Sequence, residues 1–224
     1  MVRFIYQNID ALAVSGKGFE AKLAPYIREG LRCNYLPNWA DDLDTSLVPV
    51  DLGKVKDVTQ LTFAGNIGIV QNLENIINAF LLLSNEYQAK SQLNIIGDGS
   101  NLVKLQKLAN NNLNIIFHGN KPRSIMASYY KSSDFLIISL VDEPIFSVTV
   151  PSKTQTYIAA KKPILAIING DTAELVRDNG LGLCVDPSDV NEITNIFMRC
   201  INMKQSERKS FISENERLLT TIFN

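Results

Sequence analysis

The sequence predicts an α/β fold, a doubly wound parallel sheet of the Rossmann-like kind, and three observations carry that prediction. Short apolar runs alternate with stretches of helical periodicity along most of the chain. The apolar runs are continuous rather than interrupted by polar residues, which is typical of strands buried on both faces. From residue 61 onward the strand-helix unit repeats six times, and such repeats indicate a parallel sheet covered by helices on both sides.

The first part of the chain contains two shorter predicted strands. They cover residues 11–14 and 33–36 and enclose a predicted helix over residues 17–30. Residues 41–59 are polar and irregular, which predicts a linker or an exposed loop. The sequence therefore places a small strand-helix-strand unit before the main series.

The main series begins at residue 61, and its first helix has the clearest periodicity. Its apolar residues follow the spacing of one helical face, and they are Leu73, Ile76, Ile77, Phe80 and Leu81. The predicted strands cover residues 61–64, 93–96, 114–118, 135–140, 163–168 and 183–185. Helices are predicted between them and, at the end of the chain, near residues 188–203 and 205–221.

Composition and charge exclude several classes of protein. The 224 residues suit one large domain, or one domain with part of another. A net charge of −1, from 22 Lys and Arg against 23 Asp and Glu, excludes a broad nucleic-acid-binding surface. Apolar runs such as residues 135–138 are far short of the roughly 20 residues of a membrane-spanning helix. No signal peptide is recognisable after Met1, so we expect a cytoplasmic protein.

Cysteine and histidine usage predicts no structural metal site. Cys33, Cys184 and Cys200 are widely spaced, which fits reduced and mostly buried thiols. His118 is the one histidine of the chain, so a zinc site is not expected. Because no partner for a catalytic triad is visible, we expect His118 to be a strand-end residue rather than a catalyst.

Glycine and polar residues follow the predicted strands, at the edge where parallel sheets bind ligands. The segments are Gly65-Asn66-Ile67-Gly68, Gly97-Asp98-Gly99, Gly119-Asn120-Lys121, Asp142-Glu143 and Ser152-Lys153-Thr154. Glycine lets a ligand approach the backbone and helix N-termini attract anions, so together they favour a diphosphate. The alternatives are a simple turn at each glycine and a solvated lysine at position 153.

Two common phosphate-binding motifs do not occur. The dinucleotide pattern G-x-G-x-x-G begins at Gly97 and fails at Leu102. The pattern G-x-x-x-x-G-K-[ST] is not found anywhere in the chain. The predicted site therefore belongs to neither of these two classes.

Four strings, in this order and spacing, resemble the C-terminal half of GT-B glycosyltransferases of family 4. They are Leu36-Pro37-Asn38-Trp39-Ala40-Asp41, Phe63-Ala64-Gly65-Asn66-Ile67-Gly68, Ile96-Gly97-Asp98-Gly99 and the run over residues 151–166 that begins with Pro151-Ser152-Lys153. Within that family the chain is similar to the branch that builds O-antigen and colanic acid, and to its L-fucosamine transferases. The resemblance extends over nearly the whole chain.

The resemblance implies two Rossmann-like domains, of which this chain would contain the nucleotide-sugar-binding one. Residues 1–36 would be the remnant of an N-terminal acceptor domain, residues 37–59 an interdomain linker and residues 60–224 the donor-binding domain. The implied reaction moves a sugar, such as N-acetyl-L-fucosamine, from a UDP-linked donor to a lipid-linked oligosaccharide at the inner face of the bacterial inner membrane. It would proceed with retention of configuration and without a metal or other cofactor, and this chain alone would be inactive.

The resemblance also assigns roles to the residues after the strands. The phosphate-side loop would contain Gly65, Asn66 and Gly68; the cleft floor Gly97, Asp98 and Gly99; the base-contacting segment Gly119, Asn120 and Lys121; and the diphosphate segment Ser152, Lys153 and Thr154. Lys153 is the implied catalytic residue. Thr156 stands where the family has its ribose-binding glutamate.

This chain departs from the family pattern at two places. Asn66 and Gln71 are uncharged where many members carry an arginine and a lysine. The two-glutamate motif is not intact, because Glu143 and Thr156 are 13 residues apart rather than 8. Neutralisation of the leaving group would therefore fall mainly to Lys153.

Two other functions remain open on the sequence. A sugar-nucleotide 2-epimerase needs carboxylates for acid-base work, and the candidates are Asp98, Asp142 and Glu143. A non-catalytic α/β binding module is the third interpretation, because a fold does not determine a function.

Overall fold

The computed structural model describes residues 2–39, 43–53 and 58–222, and two short parallel strands come first along the chain. Helix α1 (Val2–Gln7) precedes strand β1 (Leu12–Val14), and helix α2 (Gly18–Leu23) connects β1 to strand β2 (Cys33–Tyr35). The two strands pair with each other. The predicted helix over residues 17–30 is wrong in its extent. Pro25 has no N–H to donate to the preceding turn, so α2 ends at Leu23 although Ala24 still has helical dihedral angles.

The main body is a six-stranded sheet in which every pairing is parallel. Its strands are β3 (Thr59–Ala64), β4 (Ser91–Ile96), β5 (Ile115–Gly119), β6 (Phe135–Ser139), β7 (Ile164–Ile167) and β8 (Gly182–Val185). The spatial order is β5-β4-β3-β6-β7-β8, so the chain winds outward from β3 in one direction and outward from β6 in the other. The predicted doubly wound parallel sheet is confirmed.

Helices cover both faces of this sheet. They are α3 (Leu73–Leu81), α4 (Asn85–Ala89), α5 (Leu102–Leu108), α6 (Met126–Ser132), α7 (Lys153–Ala159), α8 (Asp171–Asp178), α9 (Val190–Asn202) and α10 (Gln205–Ile222), with 3-10 turns at Ile69–Gln71, Arg123–Ile125 and Phe146–Val148. Because successive strand residues point to opposite faces, each strand contributes to two separate cores.

One core lies between the sheet and helices α3 and α9. Phe80 and Phe197 pack edge to face there, with ring centres 6.3 Å apart. The other core contains side chains from α6, α7 and α10, including Tyr130, Tyr157 and Leu218. The continuous apolar strands of the sequence are explained by these two cores, because neither face of the sheet is open to water.

The strand order fixes where a crevice can form. Strands β3 and β6 are neighbours, with Phe63 opposite Ile137, but their connections run to opposite sides of the sheet. Ligands of such sheets bind at the carboxyl ends of the strands at this switch point.

The structure describes only part of the predicted linker over residues 37–59. Residues 40–42 and 54–57 of the predicted linker lie outside the described residues. Across the three described ranges, no helix combines the length and the apolar content needed to cross a bilayer.

Candidate functional site

A cavity of about 390 Å³ opens at the carboxyl ends of β3, β4 and β5. It is lined by Ala64, Gly65, Asn66, Ile96, Gly97, Asp98, Asn120, Lys121, Arg123, Met126 and Tyr130. Six of the residues predicted from sequence are among them, contributed by three separate strand ends. The expectation that these strand ends meet at one edge is therefore met by the geometry.

A second cavity, of about 370 Å³, shares three of these residues, namely Arg123, Met126 and Tyr130. Thr156 of α7 lines this second cavity, together with Asp44 from the segment before the sheet. The two spaces together extend from the end of β3 toward α6 and α7.

Bare backbone forms the floor of the first cavity. Gly97 has φ +136°, and a Cβ placed on it would lie 1.9 Å from the carbonyl oxygen of Gly65. Neighbouring hydrogen bonds run from the Gly65 N–H to the Ile96 carbonyl (2.9 Å) and from the Gly97 N–H to the Gly119 carbonyl (3.0 Å). Only glycine can occupy position 97 in this arrangement, because any side chain would push two loops apart.

A glutamine holds the loop after β3 in place. The Oε1 atom of Gln71 accepts a hydrogen bond from the Gly68 N–H (3.0 Å) and a longer one from Asn66 Nδ2 (3.5 Å). The Ile67 N–H donates to the carbonyl of Asp98 (2.8 Å), which ties this loop to the one after β4. The uncharged residues at positions 66 and 71 therefore shape the loop rather than supply charge to it.

Lys153 brings a cation to this edge of the sheet. Its Nζ lies 4.1 Å from the ring centre of Phe63 and 2.8 Å from the position that a Cβ on Gly65 would take. Within the described part of the chain, no carboxylate pairs with this ammonium group. Burial lowers the pKa of Lys153 to about 8. The side chain of Lys153 is half-buried, so the group is a partly desolvated cation with a ring contact and, within the described residues, no counter-ion.

Tyr157, one helical turn after Lys153, was not predicted from sequence. Its side chain is completely buried, and its hydroxyl lies 3.2 Å from both the backbone nitrogen and the carbonyl oxygen of Ala64. The edge of its ring faces Tyr130, with ring centres 5.5 Å apart. Its position four residues after Lys153 in a predicted helix was the available signal, because such pairs share a helical face.

The remaining predicted residues lie near the cavities without lining them. Gly68, Gly99, Gly119, Ser152, Lys153 and Thr154 are in this group. The side chain of Thr154 is fully buried and its hydroxyl has no hydrogen-bond partner among the described residues, so it lies inside the protein rather than on the cleft surface. Ser152 is exposed beside it.

His118 lies within β5 and belongs to the sheet. Its Nε2 donates to Oδ1 of Asn94 at 2.8 Å, because an amide oxygen can only accept. Its ring packs edge to face with Tyr129, and burial followed by the nearby charge of Lys121 lowers the pKa of His118. These contacts hold the half-buried imidazole near the end of β5, where the sequence predicted a strand-end residue.

The carboxylates that an epimerase would use do not gather in the cleft. Asp98 lines it, whereas Asp142 accepts a hydrogen bond from Asn169 Nδ2 (3.1 Å), which also donates to Asp186 (3.1 Å). Over residues 2–39, 43–53 and 58–222, no group of three or more His, Cys, Asp or Glu side chains is placed to hold a metal ion.

Comparison with known proteins gives one family and several relatives. Residues 46–218 match the family of glycosyl transferases group 1. The chain is 29% identical over 196 residues to the protein named Probable glycosyltransferase WbjE of Pseudomonas aeruginosa, covering 83% of this chain and 48% of that protein. It is also 29% identical over 170 residues to Uncharacterized glycosyltransferase MJ1069 of Methanocaldococcus jannaschii, covering 72% of this chain and 42% of the relative.

Solved structures share the fold at low sequence identity. WaaG, a glycosyltransferase involved in lipopolysaccharide biosynthesis, superimposes with a TM-score of 0.78 at 14% identity and covers 98% of this chain and 61% of its own. Anabaena Alr3699/HepE in complex with UDP superimposes with a TM-score of 0.75 at 14% identity, covering 100% of this chain and 62% of its own. The chain spans about half the length of the curated relatives it matches.

Proposed function

Because this chain belongs to the family of glycosyl transferases group 1, we propose that its cleft binds the diphosphate of a nucleotide sugar. The protein of which it is the donor-binding part then transfers the sugar to an acceptor. UDP in the structurally similar Anabaena protein supports a uridine nucleotide as the donor.

The observation that carries this proposal is the ammonium group of Lys153. A poorly solvated charge without a partner is unfavourable, and it is stabilised when an anion binds beside it. The anion has room to approach, because Gly65 and Gly97 line a cavity of about 390 Å³, and the Lys153 ammonium group lies where a side chain on Gly65 would be. A diphosphate bound over Gly65 would lie beside the ammonium group of Lys153, whereas the N–H groups of Gly65, Ile67 and Gly68 already donate within the protein.

The same arrangement suits the proposed chemistry. When the bond between the sugar and the diphosphate breaks, negative charge builds up on the phosphate oxygens. A cation fixed in a poorly solvated place stabilises that charge more than it stabilises the intact donor, which accelerates the step. In this proposal Lys153 supplies that cation without a metal ion, and the reaction retains the anomeric configuration.

The nucleoside is assigned to the cavities beyond the diphosphate. Gly119 ends β5, and Asn120 and Lys121 after it line the first cavity; in this proposal the three residues contact the base. Thr156 lines the second cavity and offers a hydroxyl where a ribose would lie. The donor sugar of the proposal is of the N-acetyl-L-fucosamine type, and the acceptor is a lipid-linked oligosaccharide at the inner face of the bacterial membrane.

The domain arrangement is part of the proposal. Residues 1–36 are assigned to the end of an acceptor domain, residues 37–59 to a linker and residues 60–224 to the donor-binding domain. Two hydrogen bonds support a fixed junction: Lys22 Nζ donates to the Pro144 carbonyl (2.6 Å) and the Gly18 N–H donates to Asp171 (2.8 Å). Since the acceptor domain would be incomplete, we expect this chain to bind nucleotide weakly and to transfer no sugar.

Calorimetric titration with UDP, ADP and GDP tests the donor site. We expect Lys153→Ala to reduce UDP affinity about 10- to 100-fold, since hydrogen bonds to charged groups contribute about 1.5–3 kcal/mol. The matched control is Lys90→Ala. Lys90 Nζ forms an exposed ion pair with Glu86 Oε1 (2.5 Å), and this pair lies far from the cleft. Equal UDP affinity in Lys153→Ala and the unchanged protein would remove Lys153 from the site.

A melting assay separates the donor site from a non-catalytic binding module of another kind. A nucleotide present at 100 times its dissociation constant should stabilise the fold by about 2.7 kcal/mol. No shift with any nucleoside diphosphate would contradict the proposed function.

A further inference from the structure

A buried tyrosine hydroxyl completes the hydrogen bonding of β3 at the switch point of the sheet. The pairing of β3 with β6 ends with Phe63 opposite Ile137. The next residue, Ala64, has its N–H and carbonyl within 3.2 Å of the Tyr157 hydroxyl, which accepts from the first and donates to the second. Tyr157 therefore replaces β6 as a partner at the place where the two strands separate.

The same helix presents Lys153 to the same strand end. Lys153 and Tyr157 are four residues apart in α7, so their side chains lie on one helical face. The lysine contacts Phe63 and lies beside Gly65, and the tyrosine bonds to the residue between them. Helix α7 therefore holds the end of β3 at three consecutive residues: Lys153 contacts Phe63 and Gly65, and Tyr157 bonds to Ala64. These contacts set the distance between the ammonium group and the loop after β3.

The hydroxyl, rather than the bulk of the ring, provides this connection. A phenylalanine would fill nearly the same volume but would leave two buried backbone groups of Ala64 without this partner. Burial of the Tyr157 side chain raises its pKa, so the hydroxyl keeps its proton and remains a donor over the physiological range. The ring contact with Tyr130 further links this tyrosine to a wall of the cleft.

We propose that Tyr157 is a positioning residue for the diphosphate site, which holds the end of β3 against α7 so that the Lys153 ammonium group meets the ligand. This inference rests on the proposed function, because it assigns to Tyr157 a task in donor binding. The tyrosine acts through Lys153 and the Gly65 loop and does not touch the donor itself.

Tyr157→Phe tests the inference, with Tyr87→Phe as the matched control. The hydroxyl of Tyr87 also accepts a hydrogen bond, from Asn202 Nδ2 (2.9 Å), but on the far side of the molecule. We expect Tyr157→Phe to weaken UDP binding about tenfold, because charge-assisted hydrogen bonds weaken steeply when misaligned. Tyr87→Phe should leave the affinity unchanged within a factor of two.

A double-mutant cycle distinguishes positioning from general support of the fold. If Tyr157 acts through Lys153, then Tyr157→Phe should change UDP affinity by less than about twofold once Lys153 has been replaced by alanine. Equal losses with and without the lysine would overturn the inference, because they would mean that the hydroxyl supports the fold in general.

Two measurements without nucleotide keep this inference separate from the proposed function. The pKa of the Lys153 amine, followed by NMR of methylated lysines, should rise in Tyr157→Phe by at least about half a pH unit, because water reaches a loosened strand end. An unchanged pKa would refute the positioning role, and a shift would support it even in a protein that binds no nucleoside diphosphate.

Hydrogen exchange in the unchanged protein gives a test that does not need the variant to fold. The Ala64 amide should be protected from exchange, because it donates to the Tyr157 hydroxyl. Exchange of this amide as fast as in an open loop would refute the connection.

Discussion

Two cations at opposite edges of the sheet have similar surroundings and opposite pairing. Lys153 at the carboxyl edge lies 4.1 Å from the ring centre of Phe63, and Arg208 at the amino edge lies 5.3 Å from that of Phe135. The two rings belong to the neighbouring strands β3 and β6.

The difference lies in what else each cation contacts. Arg208 forms an ion pair with Asp134 (3.1 Å) and donates to the Thr59 hydroxyl (3.2 Å) and to the Cys200 carbonyl (3.0 Å). Lys153 has no hydrogen-bond or carboxylate partner among the described residues. The protein itself therefore supplies the partners of Arg208, except for its buried Nε, which has no acceptor among the described residues; under the proposed function a bound anion supplies the partner of Lys153. On that proposal, the cation with an internal partner is structural and the cation without one binds the ligand.

The largest expected effect concerns the close backbone contact between the loops after β3 and β4. Gly97→Ala should abolish measurable UDP binding and lower the free energy of unfolding by several kcal/mol, because the new methyl group would overlap the Gly65 carbonyl. Gly119→Ala is the control: Gly119 also has a positive φ, of +68°, but its Cβ would meet no atom within 4 Å. It should destabilise by only about 1 kcal/mol. Urea unfolding and UDP titration measure both variants, and similar losses of stability in the two would contradict the close-contact argument.

The next effect separates the two cations by stability. Arg208→Met should lower the free energy of unfolding by about 2–3 kcal/mol, less than for a fully buried pair because the side chains of Arg208 and Asp134 are 20% and 32% exposed. Lys153→Met should leave the stability equal or raise it by up to about 1 kcal/mol, because a desolvated charge is removed. Urea unfolding at pH 7 gives both values. A large loss of stability in Lys153→Met would mean that the lysine has a structural partner after all.

The smallest expected effect is a pH dependence confined to the carboxyl edge. Burial gives Lys153 a pKa of about 8, and only its charged form attracts a diphosphate. UDP affinity should therefore be nearly constant from pH 7 to pH 8 and fall above pH 8 by up to about tenfold per pH unit, since the phosphates are already ionised at neutral pH. Lys153→Arg, whose guanidinium stays charged, should bind UDP equally well from pH 7 to pH 9. Loss of affinity with the same pH profile in both proteins would assign the titration to another group.

Local sequence patterns were sufficient to predict the sheet and the edge that contains the site. Apolar runs such as residues 135–138 identify strands because they are buried on both faces. Gly65 and Gly97 were predicted as site residues because each directly follows such a strand. The predicted segments meet because parallel strands all end at one edge.

The pairings between distant segments could not be predicted from the sequence. The hydroxyl of Tyr157 bonds to a residue 93 positions earlier, and Arg208 meets Asp134 only because α10 returns to the amino edge. Such contacts depend on helix orientation and strand order, which propensity and periodicity do not specify. For the same reason the contact of Lys153 with Phe63 was not predicted, although each residue lies in one of the strings that resemble the glycosyltransferase family.

The order of the strands also has a consequence for biosynthesis. When a nascent chain has emerged from the ribosome as far as residue 120, every glycine of the cleft floor is outside, but β6 and the helix with Lys153 have not yet emerged. Under the proposed function, nucleotide therefore cannot assist the early steps of folding, and UDP should protect from proteases only those nascent chains that have emerged beyond α7.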